Sequence, residues 1–549
     1  MSKNYKMKWW GWGDENVTFK MKNYPGIIKY IREKFKIQSL KKRPLFDLEK
    51  IEMTKKFLPE TIIGEFKDKI GAEKCFSNKQ ERVLHSFGKS YKDAVRIRSY
   101  KIKNAPDIIL YPENEDDIKS IYELCSKHSI AIVPFGGGTS VVSGVEACKG
   151  GKNYCASVDL TRMDKITSID SVSLTAKIQA GKFGPEIEKE LGERGFTLGH
   201  FPQSFEFSTL GGWIAARSSG QNSILYGGIE ALVSSLTIVS PGGKIKTLDV
   251  PRMACGPDFN EICLGSEGAL GIITEAVVKI TPAPARQLYT MYMFKDFKNS
   301  ATAAQMLAQE KIPVAMLRVS DEEETEAFLA MGSGKKNPIT FIIGKLIKKY
   351  IHSRGIDTKK CSTIMVGFEG ENHEIKYLKK RVDKIFKSFS PVCLGNGPGK
   401  KWLKDRFFLP YLRDEFMDNG LMVDTLETST TWSNLENLYS KTKNKIREVY
   451  SDRPCVVYTH ISHLYHEGAS LYTTIITTQD ESDPVGQWQK MKDAVNNTIC
   501  ESGGAISHHH GIGIDHKNGL HWNDEQMKLM KSIKNELDPE GLMNPGKLI

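Results

Sequence analysis

The chain has 549 residues, with 77 Lys+Arg against 66 Asp+Glu and a formal net charge of +11. Hydrophobic residues make up 40% and charged residues 26%, which excludes a wholly disordered or fibrous chain. No run reaches the ~18 consecutive apolar residues of a spanning helix, and the opening MSKNYKMKWWGWGDE lacks an apolar leader core. Neither an integral membrane protein nor a secreted one is therefore expected. The basic excess favours acidic ligands or an anionic surface; a nucleic-acid partner is not expected. The ten cysteines include no CxxC pair and read as reduced thiols.

In chain order, residues 1–95 are Lys-rich, and Pro25 to Phe35 and Pro59 to Ile70 carry helical periodicity, so a helical N-terminal segment is expected. Residues 96–283 alternate short apolar runs (Ile108 to Leu110, Ile130 to Val133, Leu236 to Val239) with glycine-rich turns and a helical pattern over Glu115 to His128. That is an α+β domain with a ligand site written into its loops. Residues 284–500 alternate strand-like runs (Thr363 to Phe368, Cys455 to Tyr458) with helices (Glu374 to Phe389, Leu435 to Tyr450), predicting a second sheet-plus-helix domain. Residues 501–549 hold a Gly/His loop and a helical stretch from Asp524 to Leu537. One segment, 335–355, has six basic residues and no acid beside Phe341, Ile342, Ile343, Leu346 and Ile347. It reads either as a partly buried helix with a solvated basic side or as a surface that touches anionic lipid.

Pro134-Phe135-Gly136-Gly137-Gly138-Thr139-Ser140 follows the strand-like run Ala131 to Val133. Such a turn can converge backbone N–H groups on a pyrophosphate, although on its own it is equally a flexible turn. It matches neither GxGxxG nor the P-loop spacing. Three further blocks follow: Gln203 to Gly212, Ala216 to Gly220, and Ser266 to Glu275. Together the four blocks resemble the flavin domain of the vanillyl-alcohol-oxidase, or PCMH, flavoprotein superfamily. The resemblance implies an α+β fold with a two-subdomain FAD-binding domain, an α+β cap and helical terminal segments. It also implies FAD, held non-covalently because the loop lacks His or Cys at the usual attachment spots.

Eight of the thirteen histidines lie between 460 and 521, three of them in Ser507-His508-His509-His510-Gly511. These could pack as a polar loop, bind metal, or serve proton transfer and phosphate binding near the flavin. Successive side chains of an extended chain point to alternate sides, and no Cys or acid follows at ligand spacing, so no metal is expected.

The whole chain resembles the alkyldihydroxyacetonephosphate synthase family. The resemblance runs through Lys8-Trp9-Trp10-Gly11-Trp12-Gly13, Pro106 to Leu110, the flavin blocks, Leu317-Arg318, Tyr411-Leu412-Arg413-Asp414, Glu427-Thr428-Ser429, Gly468 to Tyr472 and the triple histidine. It implies exchange of the acyl chain of 1-acyl-dihydroxyacetone phosphate for a long-chain fatty alcohol in ether-lipid synthesis. The products are 1-alkyl-dihydroxyacetone phosphate and a fatty acid, with flavin N5 holding substrate C1 and no net redox change. Tyr472, His508, His509 and His510 would be catalytic, and Arg413 and Arg318 would bind substrate. Implied flavin contacts are Pro134, Phe135, Gly136, Gly137, Gly138, Thr139 and Ser140; Gln203, Ser204, Phe205, Glu206, Phe207, Ser208 and Thr209; Ala216, Arg217, Ser218 and Ser219; and Glu267, Gly268, Ala269, Leu270, Gly271, Ile272 and Ile273. Histidines or Arg413 are expected to lower the Tyr472 pKa.

Gln203 replaces the family's Asp, Thr473 to Ile476 replaces an aromatic stretch, and His460, His463 and His466 have no family role. A homodimer touching a peroxisomal or glycosomal membrane is expected. The C-terminal Gly546-Lys547-Leu548-Ile549 is not an SKL-type address, which leaves the cytosol open. The alternatives are an FAD-dependent 2-hydroxy-acid dehydrogenase or oxidase of the same superfamily, and a flavin-retaining protein without turnover.

Overall fold

The computed structural model describes residues 7–17, 21–37, 40, 45–55, 57–331 and 349–549. Helix α1 (Pro25–Phe35) starts on a proline, which loses nothing by lacking an N–H at a helix start, and buries Ile27, Tyr30, Ile31 and Phe35. Helix α2 (Glu60–Ile70) buries Ile62, Ile63, Phe66 and Ile70 on one stripe. These bury in one core with Ile118, Ile121 and Cys125 of α3 (Glu115–His128), whose start is capped by Asn114.

Strands β1 (Cys75–Phe76), β2 (Ile108–Leu110), β3 (Ile130–Phe135) and β4 (Tyr154–Asp159) form a sheet in the order β1-β2-β4-β3. Strands β2, β4 and β3 are parallel. Parallel strands are covered on both faces, which is why β2 and β3 read as unbroken apolar runs. Strand β3 is an edge, and the chain's end covers it: Ile132 N–H donates to Leu542 O (2.8 Å) and Asn544 N–H to Ile132 O (2.7 Å). The second subdomain is an antiparallel sheet of β5 (Ile166–Asp170), β6 (Thr175–Gln179), β7 (Val233–Ser240), β8 (Gly243–Lys246) and β9 (Ile272–Lys279), in the order β8-β7-β9-β6-β5. Helix α4 (Leu210–Ala216) buries Trp213 and Ile214 in the core of this sheet.

The cap is a seven-stranded antiparallel sheet of β10 (Arg286–Phe294), β11 (Met316–Ser320), β12 (Ser362–Gly370), β13 (Val392–Gly395), β14 (Leu421–Thr431), β15 (Cys455–Leu464) and β16 (Gly468–Thr478). Their order is β13-β10-β12-β11-β15-β16-β14. Side chains alternate across a strand, so each sequence divides between two faces. Leu317, Val319, Val457, Ile461, Leu471 and Ile475 pack into one core, with Trp488 of a covering helix. Their neighbours Arg318, Ser320, Tyr458, His460, Tyr472 and Thr474 face a cavity. Helices α5 (Leu409–Asp418), α6 (Leu435–Val449), α7 (Pro484–Glu501) and α8 (Asp524–Leu537) are among those of the second half of the chain, α8 coinciding with its predicted span.

Most of the basic segment 335–355 lies outside the described residues. Of its described end, Ile351 is buried and Tyr350 is exposed. No helix among the described residues is long and apolar enough to cross a membrane. All ten cysteines are unpaired.

Candidate active site

One cavity of about 790 Å³ runs between the glycine loop, the second subdomain and the cap sheet. The loop enters it directly from β3. Among the described residues, the N–H groups of Gly137, Gly138, Thr139 and Ser140 donate to no protein acceptor. Four successive free donors on a cavity wall suit an anionic group such as a pyrophosphate. The glycines have a steric reason too: a Cβ on Gly137 would stand 1.6 Å from Phe207 O, and one on Gly136 2.4 Å from Thr209 Oγ1. The loop is thus pressed against the 203–209 block, and only glycine permits that approach. These features fit FAD.

Of the expected flavin contacts, Pro134 to Ser140, Gln203, Ser204, Ser208, Thr209, Ala216, Ser218, Ser219, Glu267, Gly268, Gly271, Ile272 and Ile273 line the cavity. Phe205, Glu206, Phe207, Arg217, Ala269 and Leu270 do not. Phe205 stacks on Phe407 (5.1 Å) and Phe207 meets Trp12 edge-on (6.0 Å), so both serve packing. Arg217 is half exposed and paired with Glu261. Ala269 and Leu270 are buried in or beside the subdomain core. Gln203 donates to Arg406 O (2.7 Å), so the residue that departs from the family pattern braces the cavity wall.

Tyr472 sits on β16, next to the edge of the cap sheet, opposite Glu427 on β14 and His460 on β15. Its ring stacks on His460 (4.8 Å, 19° between planes) and meets His510 edge-on (5.6 Å). Burial pushes the phenol up to about 12; Thr425 and Arg318 pull it down less than that, and Glu427 opposes them. The expected lowering is therefore reversed, because the ring is enclosed and Arg318 is already committed. Arg318 Nη2 donates to Glu324 Oε1 (2.8 Å) and lies 3.0 Å from His460 Nδ1, which is itself 3.0 Å from Glu324 Oε1.

Arg413 behaves differently. Its Nη1 donates to Lys89 O, while buried Nε and Nη2 have no partner among the described residues and the residue lines the cavity. Unsatisfied buried guanidinium donors point to an anionic ligand. Burial lowers the Arg413 pKa.

The triple histidine lies in a bend, not a strand, with His510 N–H donating to Ser507 Oγ (3.2 Å). The alternation assumed for an extended chain fails here. His508 Nδ1 and His509 Nδ1 both approach Glu427 Oε1, at 3.1 and 2.5 Å. Burial would raise Glu427, but the neighbouring His509 and His508 hold it well below the ordinary carboxylate range. His509 and His510 line the cavity and His508 stands behind them. Burial pushes His510 down to about 3 and so keeps it neutral.

Sequence reasoning missed several wall residues. His463 reaches the cavity beside His460 and Ser462 because the β15 register shifts between Ile461 and Leu464. Strict alternation would have placed it on the other face, so no signal in the text could find it. Arg406, over the ring of Phe201 (4.4 Å), was missed too, while buried His200, bonded to Ser218 Oγ (2.8 Å), stands behind that wall residue. His466 is exposed and takes no part. The Lys8-Trp9-Trp10-Gly11-Trp12-Gly13 motif docks on α5: Trp12 N–H donates to Asp414 Oδ2 (2.7 Å). Cβ atoms on Gly11 and Gly13 would strike Asp414 and Tyr411, at 2.3 and 2.1 Å. Two motifs some 400 residues apart thus form one contact that places Trp12 and Arg413 on the same cavity.

A two-subdomain glycine-loop cradle under an antiparallel cap defines an FAD-dependent flavoprotein of the PCMH fold. The "FAD binding domain" family model matches residues 106–249, and "FAD linked oxidases, C-terminal domain" matches 283–548. p-Cresol methylhydroxylase with substrate bound shares the fold at a TM-score of 0.67 and 15% identity, covering 89% of this chain and 96% of its own. Alkyldihydroxyacetonephosphate synthase of Dictyostelium discoideum is 33% identical over 99% of this chain and 93% of its own length. A solved alkyldihydroxyacetonephosphate synthase structure superposes with a TM-score of 0.86 at 32% identity, covering 99% of each chain. The chain belongs to the alkyldihydroxyacetonephosphate synthase family. D-lactate dehydrogenases match more distantly.

Proposed function

We propose that this chain exchanges the acyl chain of 1-acyl-dihydroxyacetone phosphate for a long-chain alcohol, releasing a fatty acid and giving the 1-alkyl ether. FAD, when bound, supplies the centre that carries the three-carbon unit between departure of the carboxylate and arrival of the alcohol, without net redox. The carrying observation is that Tyr472 and Arg413, with its two unpartnered donors, line one cavity with the flavin cradle. Arg413 binds the phosphate. Tyr472, a protonated phenol before substrate binds, moves the proton at C1. Neutral His510, edge-on to its ring, accepts or returns that proton, with His508 and His509 held on Glu427 beside it. Arg318, held by Glu324 and His460, acts through Tyr472 as a positioning residue. FAD is held without a covalent bond, so acid denaturation is expected to release all the flavin.

Lipid chains reach the cavity past Trp402, Phe408 and Leu409, which line it; Phe408 and Leu409 are 41% and 51% exposed. Such an apolar lip beside Lys400, Lys401 and Lys404 supports peripheral contact with an anionic membrane. The test is product analysis with palmitoyl-dihydroxyacetone phosphate and hexadecanol. Ether lipid and palmitate in equal amounts, with no dye reduction, are expected. Dye reduction by a 2-hydroxy acid without ether product would favour the dehydrogenase alternative.

A further inference from the structure

We propose that Glu427, His463, His508 and His509 form a binding site for one divalent cation of the zinc class. The inference does not depend on the transferase reading. One ligand atom from each residue lies within 4.8 Å of those of the other three. Three of the six separations are tighter: Glu427 Oε1 to His509 Nδ1 at 2.5 Å, Glu427 Oε1 to His508 Nδ1 at 3.1 Å, and His508 Nδ1 to His509 Nδ1 at 3.1 Å. Ligands ~2.0–2.1 Å from a tetrahedral zinc stand roughly 3.3 Å apart, so the two 3.1 Å edges match a face of a zinc tetrahedron and the 2.5 Å edge would open by roughly 0.8 Å on binding.

A second observation separates the cluster from an ordinary hydrogen-bonded one. Glu427 is fully buried in its side chain, yet Oε1 has no hydrogen-bond partner of acceptable geometry despite two imidazole nitrogens beside it. A buried carboxylate oxygen that faces two imidazole nitrogens off the line of a good hydrogen bond converges with them on the space between. Its other oxygen is fixed by the His509 N–H (3.0 Å). The rings are also held from behind as metal-binding imidazoles are. His508 Nε2 is 2.5 Å from Tyr465 Oη, and His463 Nδ1 is 2.7 Å from Ser223 Oγ, which leaves the opposite nitrogen of each ring for a cation. Three imidazoles and a carboxylate suit zinc, and with Glu427 the set closes at four. An occupied site would take the His509 lone pair out of the reaction cavity.

The test uses the FAD-loaded protein washed with a chelator and titrated with Co²⁺, then Zn²⁺. One Co²⁺ per chain with the intense visible bands of four-coordinate cobalt is expected, displaced by one Zn²⁺. His463→Ala should weaken Zn²⁺ binding by at least ~10-fold, and so should Ser223→Ala, which removes only a supporting hydroxyl. His466→Ala, an exposed neighbour, should leave it unchanged, and flavin absorbance reports that each variant has folded. A weak six-coordinate Co²⁺ spectrum would overturn the proposal. So would Zn²⁺ affinity unaltered in both His463→Ala and Ser223→Ala.

Discussion

Tyr472 and Glu267 are buried groups whose surroundings set their protonation. The Tyr472 ring lies against His460 and His510, so Tyr472→Phe keeps both ring contacts and removes only the hydroxyl. Turnover is expected to fall at least ~100-fold with the flavin content unchanged, the usual size of an acid–base contribution. Near-parental turnover would sink the assignment. Glu267, expected on the flavin, lines the cavity, and its carboxylate accepts from Ile512 N–H (2.5 Å) and Gly513 N–H (2.7 Å) and so anchors the histidine loop. Burial raises it from 4.5 to about 7 despite those bonds. A raised carboxyl binds its proton more tightly folded than unfolded, so its contribution to stability falls as pH climbs from about 4.5 to about 7. Glu267→Gln should flatten the Tm-against-pH profile in that window relative to the parent. Parallel profiles would show that Glu267 does not titrate there.

At the scale of elements, the glycine loop works because strand β3 ends in residues without side chains where the 203–209 block crosses it. Gly137→Ala would force its methyl into Phe207 O, a clash with backbone that no rotamer relieves. Overpacking of this kind costs ~1–3 kcal/mol, and the displaced loop should retain little flavin. The flavin-to-protein absorbance ratio after desalting measures it; full retention would mean the four N–H groups are not the cradle. Two of the seven cap strands, β12 and β15, were legible in the sequence, as the runs Thr363 to Phe368 and Cys455 to Tyr458. The β15 shift that brings in His463 was not, because a bulge is set by the partner strand.

Across the whole molecule, the two ends of the chain close the site. The N-terminal tryptophan motif rests on α5, and the last residues cover the edge of β3. Asn544 Nδ2 also donates to Glu267 O and to Gly144 O, and buried Lys547 donates to Glu146 O. Removing residues 540–549 leaves every expected flavin contact in place yet uncovers β3 and loosens the turn at Glu267. Such a chain is expected to purify without flavin, checked by its visible spectrum and by thermal melting. A yellow, equally stable truncation would contradict this.

The sequence by itself determined the helix over Glu115–His128, the apolar runs of β2 and β3, the four glycine-bearing blocks and the family resemblance. Those are local patterns and short motifs, carried by spacing along the chain. Only the tertiary structure decided that Phe205, Phe207, Ala269 and Leu270 pack instead of lining the cavity. It alone decided that Tyr472 is pushed up and not down, that Arg318 is paired while Arg413 keeps free donors, and that Glu427 stands between His508 and His509. The physical reason is common to all of them. Burial, and the charge that faces a buried group, come from strands far apart in sequence, and no spacing within one segment records which side chain will arrive from another.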